Sequence, residues 1–318
     1  MCVNSSRSGS SDLQQTSSRS VSRSSVMRPI LEICVDSVRS AKAAITGGAD
    51  RLEVCTCLTA GGLTPSTGLL KEIRELDADI PLMAMIRPRP GDFIYSDLDI
   101  KQMLAEIASI KEAGLADGFV FGCLKPDGLV DEESCEKLIR ASDPLPATFH
   151  RAFDLTSDGV SAMETIIGLG FSRILTSGQS KSAKAGIEVI KILLMKAEDR
   201  ILIMAGSGIN DKNLETILRE TKVREVHASA GKLVKSVMQV AHETVSMGKQ
   251  LEDDFQWFEC DEKVVASMNS IVKRSVFTFN GPQERESKER SASIESGTNV
   301  SAGDAIPNGC RSTNGSIH

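Results

Sequence analysis

The chain has 318 residues, comfortable for two domains and long for one, with 41% hydrophobic and 25% charged residues and a net charge of −6. That mildly acidic balance excludes nucleic-acid binding driven by a basic surface, and no apolar run approaches the ~20 residues of a membrane-spanning helix. Eight cysteines in no disulfide-scaffold spacing point to a reducing compartment, so the expectation is a soluble cytoplasmic protein, the nucleus being the second choice.

Residues 1–28 are rich in serine, with Arg7, Arg19, Arg23 and Arg28 and a single acid, Asp12. Such a segment buries too little apolar area to offset its ordering and is expected to be a disordered tail. Its arginine-rich, acid-poor character is shared with mitochondrial transit peptides, but the apolar face (Val3, Leu13, Val21, Val26) is thin, and a solvated tail is the preferred reading. Residues 276–318 form a second polar tail, leaving 29–275 as the domain.

Within the domain, short apolar or β-branched runs recur at 30–36, 51–58, 81–87, 118–124, 146–153, 173–177, 200–205 and 225–229. A helical pattern follows each of them. After the second run, Thr64 and Pro65 read as N-cap and first helical residue before Leu69, Leu70, Ile73 and Leu76. Ser96 begins the next helix, Asp131 precedes the fourth, and Ile187, Ile190, Leu193 and Leu194 form the stripe of the sixth. Asn210 reads as the cap of the seventh, and a last helix follows Asp261 after an irregular stretch from Gly231 to Cys260. Eight strand–helix units in a domain of this length predict a (β/α)8 TIM-type barrel. A doubly wound sheet is the alternative, but the first turn, Asp36–Arg39, lacks the glycines of a phosphate loop.

Alternation along strands then sorts inside from outside. Leu31, Ile33 and Val35 face the helices, and Glu32, Cys34 and Asp36 face inward; Glu53, Cys55, Cys57, Met83, Met85, Arg87, Thr148, His150, Glu225, His227 and Ser229 share the inward parity. An interior of acids, bases and thiols is unlike the branched apolar filling usual in these barrels. Two readings stand for Glu32, Glu53 and Arg87: a self-neutralising buried ion network, or part of a site. Arg89, His150, Arg151, Asp154 and His227 lie toward the carboxyl ends of their strands, where barrel enzymes place their chemistry. There, Arg87, Arg89 and Arg151 would bind a small anionic metabolite, and His150 would act as acid and base, oriented by Asp154 and assisted by His227.

Cys34 and Cys55 occupy equivalent places in neighbouring strands, so their thiolates are a candidate Cu(I) pair, soft donors for a soft ion. The competing reading is packing, since free cysteine is a small, frequently buried hydrophobe; Cys123 and Cys135 are assigned to packing. Small turns at Ala205–Asn210 and Ser229–Gly231 follow the last two strands, where barrels often bind phosphate through backbone N–H groups.

The segments Ala49–Glu53, Gly61–Ser66, Met85–Arg89 with Gly91–Phe93, Thr148–Asp154, Leu175–Gly178 and His227–Ser229 resemble the copper homeostasis protein CutC family, in order, from Ile30 to at least Lys249. The resemblance implies a cytosolic (β/α)8 barrel, commonly a homo-oligomer, able to bind Cu(I), with no settled reaction. Positions matching its motifs are Glu53, Arg87, Arg89, Asp92, His150, Arg151, Asp154, Ser177, His227 and Ser229; Ser207 stands where the family pattern usually has glycine.

Overall fold

The computed structural model describes residues 25–239 and 255–279. Eight parallel strands close a barrel in chain order: β2 (Ile30–Val35), β3 (Arg51–Val54), β4 (Leu82–Met85), β5 (Gly118–Phe121), β6 (Ala147–Phe149), β7 (Arg173–Thr176), β8 (Leu202–Ala205) and β9 (Glu225–Ala228). The barrel strands are shorter than the apolar runs that announced them, because in seven of the eight the last residues of the run have left the ladder to build the loops above it, whereas in 200–205 the first two precede β8. Helices α1 (Val38–Gly47), α2 (Thr67–Leu76), α3 (Asp97–Glu112), α4 (Glu132–Ser142), α5 (Gly159–Gly168), α6 (Ile187–Ala197), α7 (Leu214–Thr221) and α8 (Glu262–Arg274) form the outer layer.

The main core lies between strands and helices. Leu31, Ile33, Leu52, Leu82, Phe119 and Phe149 on the outer parity are fully buried against helix residues such as Leu70, Ile107 and Ile190. Each such side chain contributes about 1.5–3 kcal/mol on leaving water.

Helix starts follow local hydrogen-bond chemistry. Ser96 caps α3 in a reciprocal box with Asp99, and the Asp131 and Asp261 side chains accept from the first-turn N–H groups of α4 and α8. Two expected starts are displaced. The cap of α2 is Ser66, while the Thr64 hydroxyl donates to Glu106 and accepts the Arg87 N–H. Helix α7 begins at Leu214, and the Asn210 side chain accepts from Lys212 N inside the preceding turn.

The stretch read as irregular contains a two-stranded antiparallel ribbon, β10 (Gly231–Lys235) with β11 (Gln256–Cys260), which adds Phe258, Glu259 and Cys260 to the barrel mouth. A second ribbon pairs β1 (Ser25–Met27) with β12 (Phe277–Phe279), so regular backbone extends a few residues past both ends of the expected domain. Cys2, Cys310, His242, His318 and residues 1–24 of the segment weighed against a transit peptide lie outside the described residues.

Candidate functional site

The register between strands decides which inward side chains meet. Strand β3 is displaced on β2 so that Glu32 faces Arg51 and Cys34 faces Glu53, and across the closure Glu32 faces His227. The barrel floor is therefore an ion network. Arg51 Nε donates to Glu32 Oε2 at 2.5 Å, and its Nη2 bonds Glu225, which also accepts from Arg173 Nε at 3.0 Å. Two guanidinium groups and two carboxylates cancel, which is how charges this deeply buried are kept. Burial acts to raise the Glu32 pKa, but Arg51 and His227 together hold it down to about 2.

Arg51 and Arg173 escaped the sequence reading, although the parity that exposed Glu53 covers them too. Of the three residues weighed as a self-neutralising network, Glu32 belongs to it directly and Glu53 only through His227. Arg87 is elsewhere, and Glu53 is bonded to neither arginine.

Above the floor, Cys34, Glu53 and His227 converge: one ligand atom from each lies within 4.8 Å of the others, and all are buried. His227 Nδ1 lies 2.7 Å from Glu32 Oε1, which turns Nε2 toward Glu53 Oε2 at 3.8 Å. Burial opposes the imidazolium, but Glu53, Cys34 and Glu32 outweigh it and hold the His227 pKa well above its ordinary value. Burial, reinforced by Glu32, raises Glu53 to about 7 against the pull of His227 and Arg51, and Glu53 Oε1 has no partner. A thiol, an imidazole and a carboxyl at this spacing can hold a metal ion.

Cys55 is not part of that trio. The register carries it one step above Glu53, where its thiol donates to Val35 O at 3.6 Å and packs with Met83, Met85 and Val120. Burial pushes its pKa well up, as expected of a packed thiol.

The trio sits in the wall of a cavity of about 720 Å³ that opens at the carboxyl ends of the strands. Arg87, His150, Arg151, Asp154 and Ser229 also line it, whereas Glu32, Cys55, Arg89 and Ser177 do not. Arg89 turns outward to Asp92 and the Ile94 carbonyl and lies over the Tyr95 ring. Arg87 is 4% exposed and donates to three backbone carbonyls, Ala60, Gly62 and Gly91, with Phe93 beneath its guanidinium at 4.8 Å. Thus it ties two mouth loops together as well as facing the cavity.

His150 and Asp154, expected as an acid–base pair, are not bonded. The Asp154 carboxylate accepts from Thr176 Oγ1 at 2.6 Å, Ser177 N at 3.0 Å, Gln179 N at 3.2 Å and Arg151 Nε at 2.8 Å, so it fixes the turn after β7. His150 caps the short 3-10 turn Arg151–Leu155, its Nδ1 accepting from Ala152 N at 3.3 Å. Burial, then the Arg87 charge, lowers its pKa to about 3, so it is a neutral imidazole with the proton on Nε2. That nitrogen is buried without a partner. At neutral pH it is a hydrogen-bond donor and a poor base.

Ser207 lies on the cavity rim at φ 82°, a left-handed conformation that costs a serine energy and glycine little. The glycine of the family pattern at this place is explained by the turn.

Comparison with known proteins settles the relationship. The CutC family model matches residues 29–232. The chain belongs to the CutC family. A copper homeostasis protein cutC homolog of Homo sapiens is 45% identical over 245 residues, 77% of this chain and 89% of that one. A family protein CutC of Bacteroides thetaiotaomicron is 45% identical over 223 residues, 70% of this chain and 89% of that one. The crystal structure of a putative copper homeostasis protein CutC from Streptococcus agalactiae superposes with a TM-score of 0.60 at 34% identity, covering 63% of this chain and 98% of that one. Those matches and the closed eight-stranded barrel agree with the family and fold expected from the motifs.

Proposed function

We propose that this CutC-family protein serves copper homeostasis in the cytosol by holding a copper ion between Cys34 Sγ and His227 Nε2, with Glu53 as third donor. The observation that carries the proposal is the convergence of these three ligand atoms within 4.8 Å. Glu32 on the far nitrogen of His227 supports it, because ligating imidazoles are characteristically oriented by an acceptor on the second nitrogen. The relatives named for copper homeostasis support the choice of metal. Copper must displace the thiol proton of Cys34 and one imidazole proton of His227; the resulting thiolate and neutral imidazole are acceptable to Cu(I), and a carboxyl with a pKa of about 7 can stay protonated beside a monovalent ion or ionise beside a divalent one.

The test is anaerobic Cu(I) competition titration of the wild type and of Cys34→Ser, His227→Ala and Cys55→Ser, each checked for folding by circular dichroism. Cys34→Ser and His227→Ala are expected to weaken binding by roughly tenfold to a hundredfold or more, while Cys55→Ser stays near wild type. Unchanged affinity in Cys34→Ser refutes the site. Equal losses in Cys34→Ser and Cys55→Ser would restore a dithiolate pair.

A further inference from the structure

The cavity is far larger than an ion, and its wall holds a positive charge that the fold does not neutralise. Arg87 is 4% exposed, yet no carboxylate among the described residues pairs with it; its neighbours are carbonyl oxygens, the Phe93 ring and the Tyr95 hydroxyl. A buried cation compensated only by dipoles and a ring face is costly, and an anion beside it recovers that cost. Its Nε–H is also buried without a partner, as is the Nε2–H of His150. Both groups pack on one ring: the Phe93 centroid is 4.8 Å from Arg87 Cζ and 4.7 Å from the His150 centroid. Two neighbouring buried donors left unused are a standing cost to the fold until an acceptor arrives.

From this geometry we infer that the cavity binds a small organic carboxylate, one oxygen on Arg87 Nε–H and the other on His150 Nε2–H. A carboxylate offers two coplanar acceptors and one charge, matching two donors and one unpaired cation. A phosphate brings more charge and a third oxygen than these two groups satisfy. The neutral state of His150 serves this role, since donation from Nε2 requires only the tautomer that the Ala152 N–H enforces. Arg151, 45% exposed and 2.8 Å from Asp154, stands at the mouth, where it can meet a second anionic group. Exposed Leu155 and Phe258 give the same rim an apolar character. The ligand class is therefore a short-chain dicarboxylate or an acid with a modest apolar chain. This site does not depend on the copper proposal, because neither Arg87 nor His150 is one of its ligands.

The experiment is isothermal calorimetry and thermal unfolding of the full chain with succinate and glutarate, set against succinamide, glutaramide and inorganic phosphate at matched ionic strength. Saturable binding of a dicarboxylate, absent for its diamide, is expected. His150→Phe, which keeps the ring packing and removes the donor, should weaken it roughly tenfold or more, and His150→Gln, whose amide N–H reaches the place of Nε2, should recover much of the loss. Binding should persist in Cys34→Ser, which separates this site from the metal trio. No dicarboxylate binding, equal binding of the diamide, tighter binding of phosphate, or indifference to His150→Phe overturns the proposal.

Discussion

Replacing His150 by glutamine should flatten the acid side of the stability curve, by an amount that follows from the burial of the imidazole. Burial, reinforced by the Arg87 charge, holds the His150 pKa near 3, against an ordinary 6.5 in the unfolded chain. The folded pKa is depressed, so the stability is fully present above pH 6.5. It is lost as the pH falls toward 3, because over that interval the unfolded chain binds a proton that the folded chain refuses. Each unit of separation is worth about 1.4 kcal/mol, and lowering the pH from 7 to 5 engages about one and a half units, so His150 should remove about 2 kcal/mol of stability over that step. Urea unfolding of ligand-free wild type and His150→Gln at pH 7, 6 and 5 measures the difference. The variant should be less stable at pH 7, since it loses the ring contacts with Phe93 and Phe149, but its decline toward pH 5 should be shallower by that amount. It is the slope, not the offset, that tests the reasoning. Parallel curves would show that the folded protein protonates His150 as readily as the unfolded chain does, and that burial beside Arg87 does not keep the imidazole neutral.

Two further perturbations address the floor and the mouth. Arg51→Met should cost about 3–5 kcal/mol, because it leaves Glu32 without a guanidinium and Glu225 with Arg173 alone; adding Glu32→Gln should recover part of the loss in chemical denaturation. No recovery in the double variant would mean that the packing of the arginine stem, not its charge, is what matters. Gly186→Ala should destabilise by roughly 2–4 kcal/mol, because its Cβ would stand 1.9 Å from Ser177 O and drive the β7 turn away from Asp154. Wild-type stability in that variant would contradict the close approach of these two segments.

The barrel was legible because its cause is repetitive. Apolar runs with period two, each followed by a helix with a recognisable cap, leave few architectures in which every outer face is buried, and Leu31, Ile33, Leu52 and Phe149 lie where the alternation puts them. Caps were legible where one short polar residue had no rival, as at Ser96 and Asp131. At 64–66 two candidates competed, Thr64 and Ser66, and Ser66 became the cap because Thr64 was drawn to Glu106 and the Arg87 backbone, partners remote in sequence. The ribbon of β10 and β11 was hidden because its two strands flank a long intervening stretch and carry little alternation, with Leu233, Trp257 and Phe258 all exposed.

The site was legible in membership and not in pairing, and the reason is the same for both of its halves. Alternation tells which side chains point inward but not how far one strand slides on the next, and a closed barrel requires that slide. Counting from the start of each strand puts Cys34 beside Cys55; the observed register puts it beside Glu53, with His227 arriving from across the closure. That two-residue displacement sets a carboxyl and an imidazole beside Cys34 and leaves Cys55 one step higher, still near enough for Cys34 to help raise its pKa. It also lifts Cys55 into an apolar contact with Met83 and Met85. At the mouth, His150 and Asp154 are four residues apart and look like partners, but the short helical turn between them points one toward the cavity and the other toward the β7 turn. Sequence proximity brought the carboxylate near; the hydrogen-bonding needs of Thr176, Ser177 and Gln179 claimed it. What is left on the cavity wall is an imidazole and a guanidinium with donors to spare, a combination that follows from the loops taking the acid for themselves.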